Sequence, residues 1–160
     1  MNDRLLVRAK NSAYALLRVR PRSEAELASR LKDKGYVPGV ITGVIEGLRK
    51  RGLVDDAKFA RFWVDSRMHL KPVGDYILKR ELKQKGVGES IVEAALRAKE
   101  SEYDEYAVAK DMAVERFRRL RSIDRRKATK RVYDFLLRRG FKYDCVRRVI
   151  EEVMNIPYDD

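Results

Sequence analysis

One short pattern occurs three times in this chain of 160 residues, and it limits the folds that the chain can adopt. In each copy an apolar residue stands four positions before a glycine, a basic residue stands directly before that glycine, and a large apolar residue follows it. The three glycines are Gly35, Gly86 and Gly140, which are 51 and 54 residues apart. Self-similarity at such a period is typical of a repeat architecture built from one supersecondary unit.

An apolar stripe restarts after each glycine at the same offsets, with the spacing of one helical face. The stripes run through Val40, Ile41, Val44 and Ile45, through Ile91, Val92, Ala95 and Leu96, and through Cys145, Val146, Val149 and Ile150. No segment has the sustained alternation that is typical of a strand. We therefore predict an all-α fold of three tandem three-helix repeats, 1–52, 53–100 and 101–160. The array should be elongated, because each repeat in such a protein contacts mainly its neighbours.

Local signals predict where the helices begin and end. Ser23-Glu-Ala-Glu26 predicts a capping box, in which the serine hydroxyl and the glutamate carboxylate each accept a hydrogen bond from a backbone amide. Pro38 predicts the start of a helix, and the adjacent Asp55 and Asp56 predict a capped helix start. The three repeated glycines should end helices with a positive φ.

The charge of the chain is concentrated in its third repeat. The whole chain has 37 Lys and Arg against 25 Asp and Glu, a formal +12. Between Arg116 and Arg148 there are 14 basic residues and three acidic ones. Such an excess of positive charge favours a contact surface over a solvated helical face. The partner would be nucleic acid or an acidic protein, and the sequence does not decide between them. The predicted contact residues are Arg67 and Lys71 of the middle repeat and Arg116, Arg118, Arg119, Arg121, Arg125, Arg126, Lys127, Lys130, Arg131, Arg138 and Arg139.

Aromatic residues in and beside the basic repeat could either pack in the core or stack on bases. Their helical spacing favours core packing for Phe117 and Phe141 and leaves both roles open for Tyr133 and Tyr143. In the middle repeat, Phe59, Phe62 and Trp63 are expected to form a core seam.

Catalysis and cofactor binding have little support in the sequence. His69 is the only histidine and Cys145 the only cysteine, so no zinc-ligand cluster can be formed from them, and Cys145 occupies an apolar stripe position. No glycine-rich phosphate loop is present. We predict a protein that is not an enzyme, with no catalytic residue, no metal and no cofactor.

Because no apolar run approaches about 18 residues, the expected location is the cytoplasm and no membrane contact is expected. Asp159 and Asp160 form an acidic tail.

Several longer motifs carry a resemblance to a known family. They are Arg20-Pro-Arg-Ser-Glu-Ala-Glu-Leu27, the stretch from Leu31 to Tyr36, Leu53-Val-Asp-Asp-Ala-Lys-Phe-Ala60 with Trp63-Val64 and Ser66-Arg67, Pro72-Val-Gly74 with Ile77, Glu81-Leu82 and Lys85-Gly-Val87, and Phe135-Leu-Leu-Arg-Arg-Gly-Phe141. In this order and spacing they closely resemble the RecX family of bacterial recombinase regulators. The resemblance covers essentially the whole chain.

The resemblance implies a curved, elongated array of three-helix repeats that lies along the groove of the RecA filament on single-stranded DNA. It further implies restraint of ATP hydrolysis, strand exchange and co-protease activity by RecA, and so a role in homologous recombination, DNA repair and the SOS response. Single-stranded DNA is an expected direct partner, duplex DNA is a possible one, and the chain is expected to be a monomer. The alternative is a stand-alone DNA-binding protein whose three-helix units work like helix-turn-helix modules.

Overall fold

The computed structural model describes residues 2–155, apart from the side chain of Asn2. The predicted acidic tail at Asp159 and Asp160 lies outside these residues. Within the described part of the chain there are nine α-helices and no strand, which confirms the predicted all-α class. The helices are α1 (Asn2–Val19), α2 (Glu24–Asp33), α3 (Pro38–Lys50), α4 (Asp56–Leu70), α5 (Asp75–Gln84), α6 (Glu89–Glu102), α7 (Glu105–Arg118), α8 (Arg125–Arg138) and α9 (Tyr143–Val153).

The helices form two compact units. One unit comprises Met1–Asp65 and Arg80–Ala95, and the other comprises Ser66–Lys79 and Leu96–Asp160. The middle group of three helices, α4 to α6, therefore contributes to both units. In the first unit the apolar faces of α1, α2 and α3 enclose a core that includes Ala13, Leu31 and Val44. In the second unit α7, α8 and α9 enclose a core that includes Ala113, Leu136 and Val149.

The repeated glycine pattern is a helix-ending motif. Gly35 has a φ of 85°, its amide bonds to the carbonyl of Lys32 at 2.8 Å, and the Tyr36 amide bonds to the carbonyl of Leu31 at 3.2 Å. This pair of bonds is the Schellman motif, and the apolar residues of the sequence pattern occupy the two positions that touch each other in it. Gly86 and Gly140 end α5 and α8 in the same way, with φ values of 75° and 82°. The predicted positive φ is confirmed at all three glycines.

A fourth Schellman motif ends α3. Gly52 has a φ of 66°, and the Leu53 amide bonds to the carbonyl of Leu48 at 3.0 Å. The stretch from Leu48 to Leu53 has the same sequence pattern as the three repeated copies. The pattern therefore marks the end of a helix and does not by itself mark the middle of a repeat.

The capping box predicted at α2 is formed only in part. The Ser23 hydroxyl accepts from the Glu26 amide at 3.1 Å, which confirms the serine cap. The reciprocal bond predicted for Glu26 is wrong, because its carboxylate pairs with Arg20 at 2.8 Å and Lys85 at 3.0 Å. Lys85 Nζ also lies 4.0 Å from the centroid of the Trp63 ring. The motif residues around Ser23 therefore hold the first unit together.

The two adjacent aspartates are caps, as predicted, but they serve different helices. Asp55 accepts from the amides of Ala57 and Lys58 at 2.8 and 3.0 Å and caps α4. Asp56 accepts from the amide of Glu24 at 2.8 Å, and so satisfies the first turn of α2. Both carboxylates thereby satisfy backbone amides at helix starts.

Candidate binding surface

Helix α8 exposes five basic side chains on one face, with Asp134 between them. Its buried residues Ala128, Val132 and Leu136 lie on one face, and the Asp124 carboxylate caps its first turn through the Lys127 amide at 3.1 Å. Residues three and four apart share a face of a helix, and the basic residues of α8 lie on the exposed face opposite these buried residues. None of the bases on that face pairs with a carboxylate among the described residues. This α8 basic face consists of Arg126, Lys127, Lys130, Arg131 and Arg138.

Arg125 stands apart from these residues, although the sequence predicted a contact role for it as well. Its guanidinium donates to the backbone carbonyl of Met154 and lies 5.9 Å from the centroid of the Phe117 ring. The side chain is half-buried. Arg125 therefore ties the start of α8 to the end of α9 and is not part of the α8 basic face.

The last turn of α7 and the residues directly after it contribute four of the predicted arginines, all of them exposed. Arg119 is paired with the Glu115 carboxylate one turn earlier on the helix. Arg118 and Arg121 have no carboxylate partner in the described part of the chain. Arg116 lies over the ring of Phe135 on α8, with its guanidinium carbon 5.2 Å from the ring centroid.

A groove of about 240 Å³ brings Arg116 together with predicted residues from distant parts of the sequence. Arg139 Cζ also lies 5.2 Å from the Phe135 centroid, and Arg139 Nη1 is 3.5 Å from the carbonyl oxygen of Pro72. Two guanidinium groups thus lie against one aromatic ring. We call this feature the Phe135 groove; its lining residues are Leu70, Lys71, Pro72, Met112, Glu115, Arg116, Arg119, Phe135 and Arg139.

The groove includes one of the two contact residues predicted in the middle repeat. Lys71 follows α4 and is exposed at the groove, whereas Arg67 lies one turn earlier, is half-buried and does not line it. The groove is lined by four basic residues and one acidic residue, Glu115, so it has a strong excess of positive charge. Such a surface attracts anions, and guanidinium groups favour bidentate contacts to carboxylate or phosphate.

Another basic residue of the third repeat, Lys142, belongs to a charge network with Asp75, Lys99 and Glu100 that was not predicted. Asp75 accepts from Lys99 at 2.6 Å and lies 3.3 Å from Lys142. Burial lowers the pKa of Lys142, but Asp75 and Glu100 outweigh this effect, so the net pKa is raised. The side chain of Lys99 is 1% exposed. One signal could have revealed this network, because Lys99 stands at a stripe position of α6, four residues after Ala95, where an apolar side chain is expected.

The aromatic residues of the third repeat differ in burial. Phe117 and Phe141 are buried in the core, which confirms their packing role. Tyr133 is half-buried, whereas Tyr143 is 59% exposed, and their rings meet edge to face at 6.5 Å. In the middle repeat only Phe59 of the predicted seam is fully buried.

His69 and Cys145, the one histidine and the one cysteine of the sequence, both have structural contacts. His69 is exposed and its ring meets that of Tyr103 edge to face at 6.0 Å. Burial raises the pKa of the Cys145 thiol, which packs against the core of α7 to α9. No group of three or more His, Cys, Asp or Glu side chains within this range could hold a metal ion. No helix in it is long and apolar enough to cross a membrane.

Comparison with known proteins identifies the repeats. Residues 9–48, 55–96 and 102–150 match the models of the first, second and third three-helix domains of RecX. The chain is 35% identical to the regulatory protein RecX of Prosthecochloris aestuarii over 154 residues, which cover 96% of this chain and 99% of that one. It is also 35% identical to the regulatory protein RecX of Chlorobium phaeobacteroides, over 91% of this chain and 93% of that one.

Two solved structures have the same fold. A crystal structure of regulatory protein RecX superposes with a TM-score of 0.79 at 25% identity, covering 94% of this chain and 73% of that chain. The crystal structure of RecX from Lactobacillus salivarius superposes with a TM-score of 0.82 at 22% identity, covering 96% of this chain and 99% of that chain. These similarities support three tandem helical repeats.

Proposed function

The chain belongs to the RecX family of regulatory proteins, and on that premise we propose that it binds the RecA filament assembled on single-stranded DNA and restrains its activities. The restrained activities would be ATP hydrolysis, strand exchange and co-protease action. The protein acts by occupying the filament and performs no chemistry itself. It needs no cofactor for this role, because binding alone obstructs the motions of the filament.

The observation that carries the proposal is the α8 basic face. Its five basic side chains are exposed, and no carboxylate among the described residues pairs with any of them. Some basic residues elsewhere in the same unit do have an acidic partner, as Lys110 has Glu152 and Lys142 has Asp75. An uncompensated row of this kind suits a polyanion, because phosphate contacts release counterions and supply most of the affinity for nucleic acid.

The α8 basic face suits the backbone of DNA better than its bases. Lys and Arg side chains contact phosphates without reading sequence. Tyr143 is the exposed aromatic nearest in sequence, and its ring packs on Tyr133 and adds a flat surface on which one base can stack. We therefore propose sequence-independent contact with single-stranded DNA, with weaker contact to duplex DNA.

Co-sedimentation tests the proposed partner directly. RecA from the same source, assembled on poly(dT) with a slowly hydrolysed ATP analogue, should carry this protein into the pellet in a saturable way. Poly(dT) without RecA should carry down less of it at equal salt. Recovery of the protein in the supernatant across the whole titration would refute binding to the filament.

A further inference from the structure

We propose that the Phe135 groove receives an acidic segment of a protein partner, one that carries a carboxylate next to an apolar side chain, while DNA is left to the α8 basic face. This inference rests on the proposed function and deepens it, since the partner would be the protein component of the nucleoprotein filament. The Phe135 groove and the α8 basic face would then bind different components of one assembly.

The charges of the groove favour an anionic occupant. No carboxylate among residues 2–155 pairs with Lys71, Arg116 or Arg139, and the Arg139 guanidinium lies against the Phe135 ring and the Pro72 carbonyl. Arg119 is the exception, because Glu115 holds it. Three cations therefore face one small cavity without a negative partner. A carboxylate entering the groove would find two guanidinium groups already ordered against an aromatic ring, which lowers the entropy lost on binding.

The Phe135 ring disfavours a nucleic-acid base as the occupant. Proteins that bind single strands stack successive bases on open aromatic faces. Here the ring is half-buried, and the guanidinium groups of Arg116 and Arg139 both lie 5.2 Å from its centroid. The cations thus use the ring surface that a base would need.

The apolar residues of the groove favour a protein over a phosphate backbone. Leu70 is 81% exposed at the groove, beside Pro72 and Met112. A phosphodiester chain gains nothing from such neighbours, whereas an apolar side chain next to a carboxylate would cover them. Large exposed apolar side chains grouped with a polar rim are typical of protein interaction sites. The α8 basic face, by contrast, has Leu137 as its one large apolar neighbour on the exposed side of that helix.

Two variants test the inference with two probes. Arg116→Glu reverses a charge in the groove, and Leu70→Ser removes apolar surface without changing charge. The probes are fluorescein-labelled oligo(dT) of 30 nucleotides, which contains no protein, and RecA filaments on poly(dT). Matched controls are Arg97→Glu and Val19→Ser, which alter an exposed arginine and an exposed valine on other helices. Circular dichroism of every variant checks that the fold is kept.

We expect Arg116→Glu to weaken filament binding about tenfold, because like charges juxtaposed at an interface are strongly unfavourable. Leu70→Ser should weaken it by a smaller factor, and binding of free oligo(dT) should change less than about twofold for both variants. Equal losses on oligo(dT) and on filaments would overturn the inference and assign the groove to DNA. Unchanged filament binding by both variants would overturn it as well. Failure of the unaltered protein to bind filaments would instead refute the proposed function.

Discussion

The backbone amide of Gly74 donates a hydrogen bond to the carbonyl oxygen of Arg139 at 2.8 Å. The segment before α5 therefore lies directly on the end of α8, backbone against backbone. A Cβ atom on residue 74 would lie 2.0 Å from the carbonyl oxygen of Gly140, so only glycine fits there. This approach places Lys71 and Pro72 beside Arg139, and so forms one side of the Phe135 groove.

Gly74→Ala should lower stability and open the groove. The added methyl group meets backbone atoms that cannot rotate away, so the free energy of unfolding should fall by about 2 kcal/mol or more. Urea denaturation measures the change. Gly47→Ala in α3 is the control, because a Cβ atom there would have no atom from the surrounding structure within 4 Å, and alanine should stabilise by up to about 1 kcal/mol. Equal effects of the two substitutions would show that Gly74 is not in tight contact.

Alanine at the helix-ending glycines should separate backbone strain from crowding. At Gly35 the φ of 85° is unfavourable for alanine, but an added Cβ atom would have no atom from the surrounding structure within 4 Å, so Gly35→Ala should cost about 1 kcal/mol. At Gly140 the new Cβ would also lie 2.6 Å from Ile77 Cγ1, so Gly140→Ala should cost clearly more. Thermal melting of both variants gives the order. A smaller loss at Gly140 than at Gly35 would contradict the contact with Ile77.

The pH dependence of stability should include a contribution from Glu26. Burial raises the pKa of its carboxyl, but hydrogen bonds from Arg20 and Lys85 and their charges outweigh burial and lower the pKa from 4.5 to about 2. A lowered pKa in the folded state stabilises the fold above the unfolded value, and this stabilisation is lost as pH falls from about 4.5 to about 2.

Glu26→Gln should therefore unfold more easily at pH 7, by about 1 kcal/mol after allowance for solvent screening, and its stability should fall less between pH 5 and about 2. Urea denaturation across this pH range measures both effects. Glu93→Gln is the control, because Glu93 is exposed on α6. If Glu26→Gln and the unaltered protein lose stability in parallel on acidification, the ion pairs of Glu26 do not contribute.

Charge reversal on the α8 basic face should weaken DNA binding without harming the fold. We choose Arg126, Lys130 and Arg131 together and leave Arg125 intact, because Arg125 contacts Met154 and Phe117. Exposed charges typically change stability by less than about 0.5 kcal/mol each. The slope of log affinity for oligo(dT) against log salt should shrink by about 0.7 for each phosphate that the variant no longer neutralises.

A triple reversal elsewhere controls for the change in net charge. Arg4, Arg8 and Arg61 are exposed on α1 and α4, and their reversal to glutamate alters the total charge by the same amount. Its salt slope should stay close to that of the unaltered protein. Equal slopes for the two triple variants would mean that binding depends on net charge and not on the α8 basic face.

The helix ends could be predicted from the sequence because each signal is local. A Schellman motif needs a glycine and two apolar residues within six positions, and all three are visible in the stretch from Leu31 to Tyr36. The stretch from Leu48 to Leu53 was not predicted to be a further copy of this motif. Within the first repeat, the ends of α2 and α3 have the same sequence pattern. Ser23 was likewise predictable as a cap, whereas the partners of Glu26 were not, because Lys85 is 59 residues away.

The candidate site was predictable in composition but not in geometry. Basic residues could be counted, yet the contact between Arg139 and Pro72 joins positions 67 residues apart, and no local pattern indicates it. The solvent exposure of each basic side chain was also not predictable from the sequence. Arg125 and Arg126 are adjacent and chemically identical, but α8 turns the first toward Phe117 and the second toward solvent. Only the packing of three helices decides between them.

The rate of ATP hydrolysis by RecA on single-stranded DNA is the most direct test of the central claim. Purified RecA from the same source, with poly(dT) and saturating ATP, should hydrolyse ATP more slowly as this protein is added, with inhibition that saturates. The triple variant of Arg126, Lys130 and Arg131 should inhibit less at equal concentration. An unchanged rate at several-fold molar excess of correctly folded protein would contradict the proposal that this chain restrains the RecA filament.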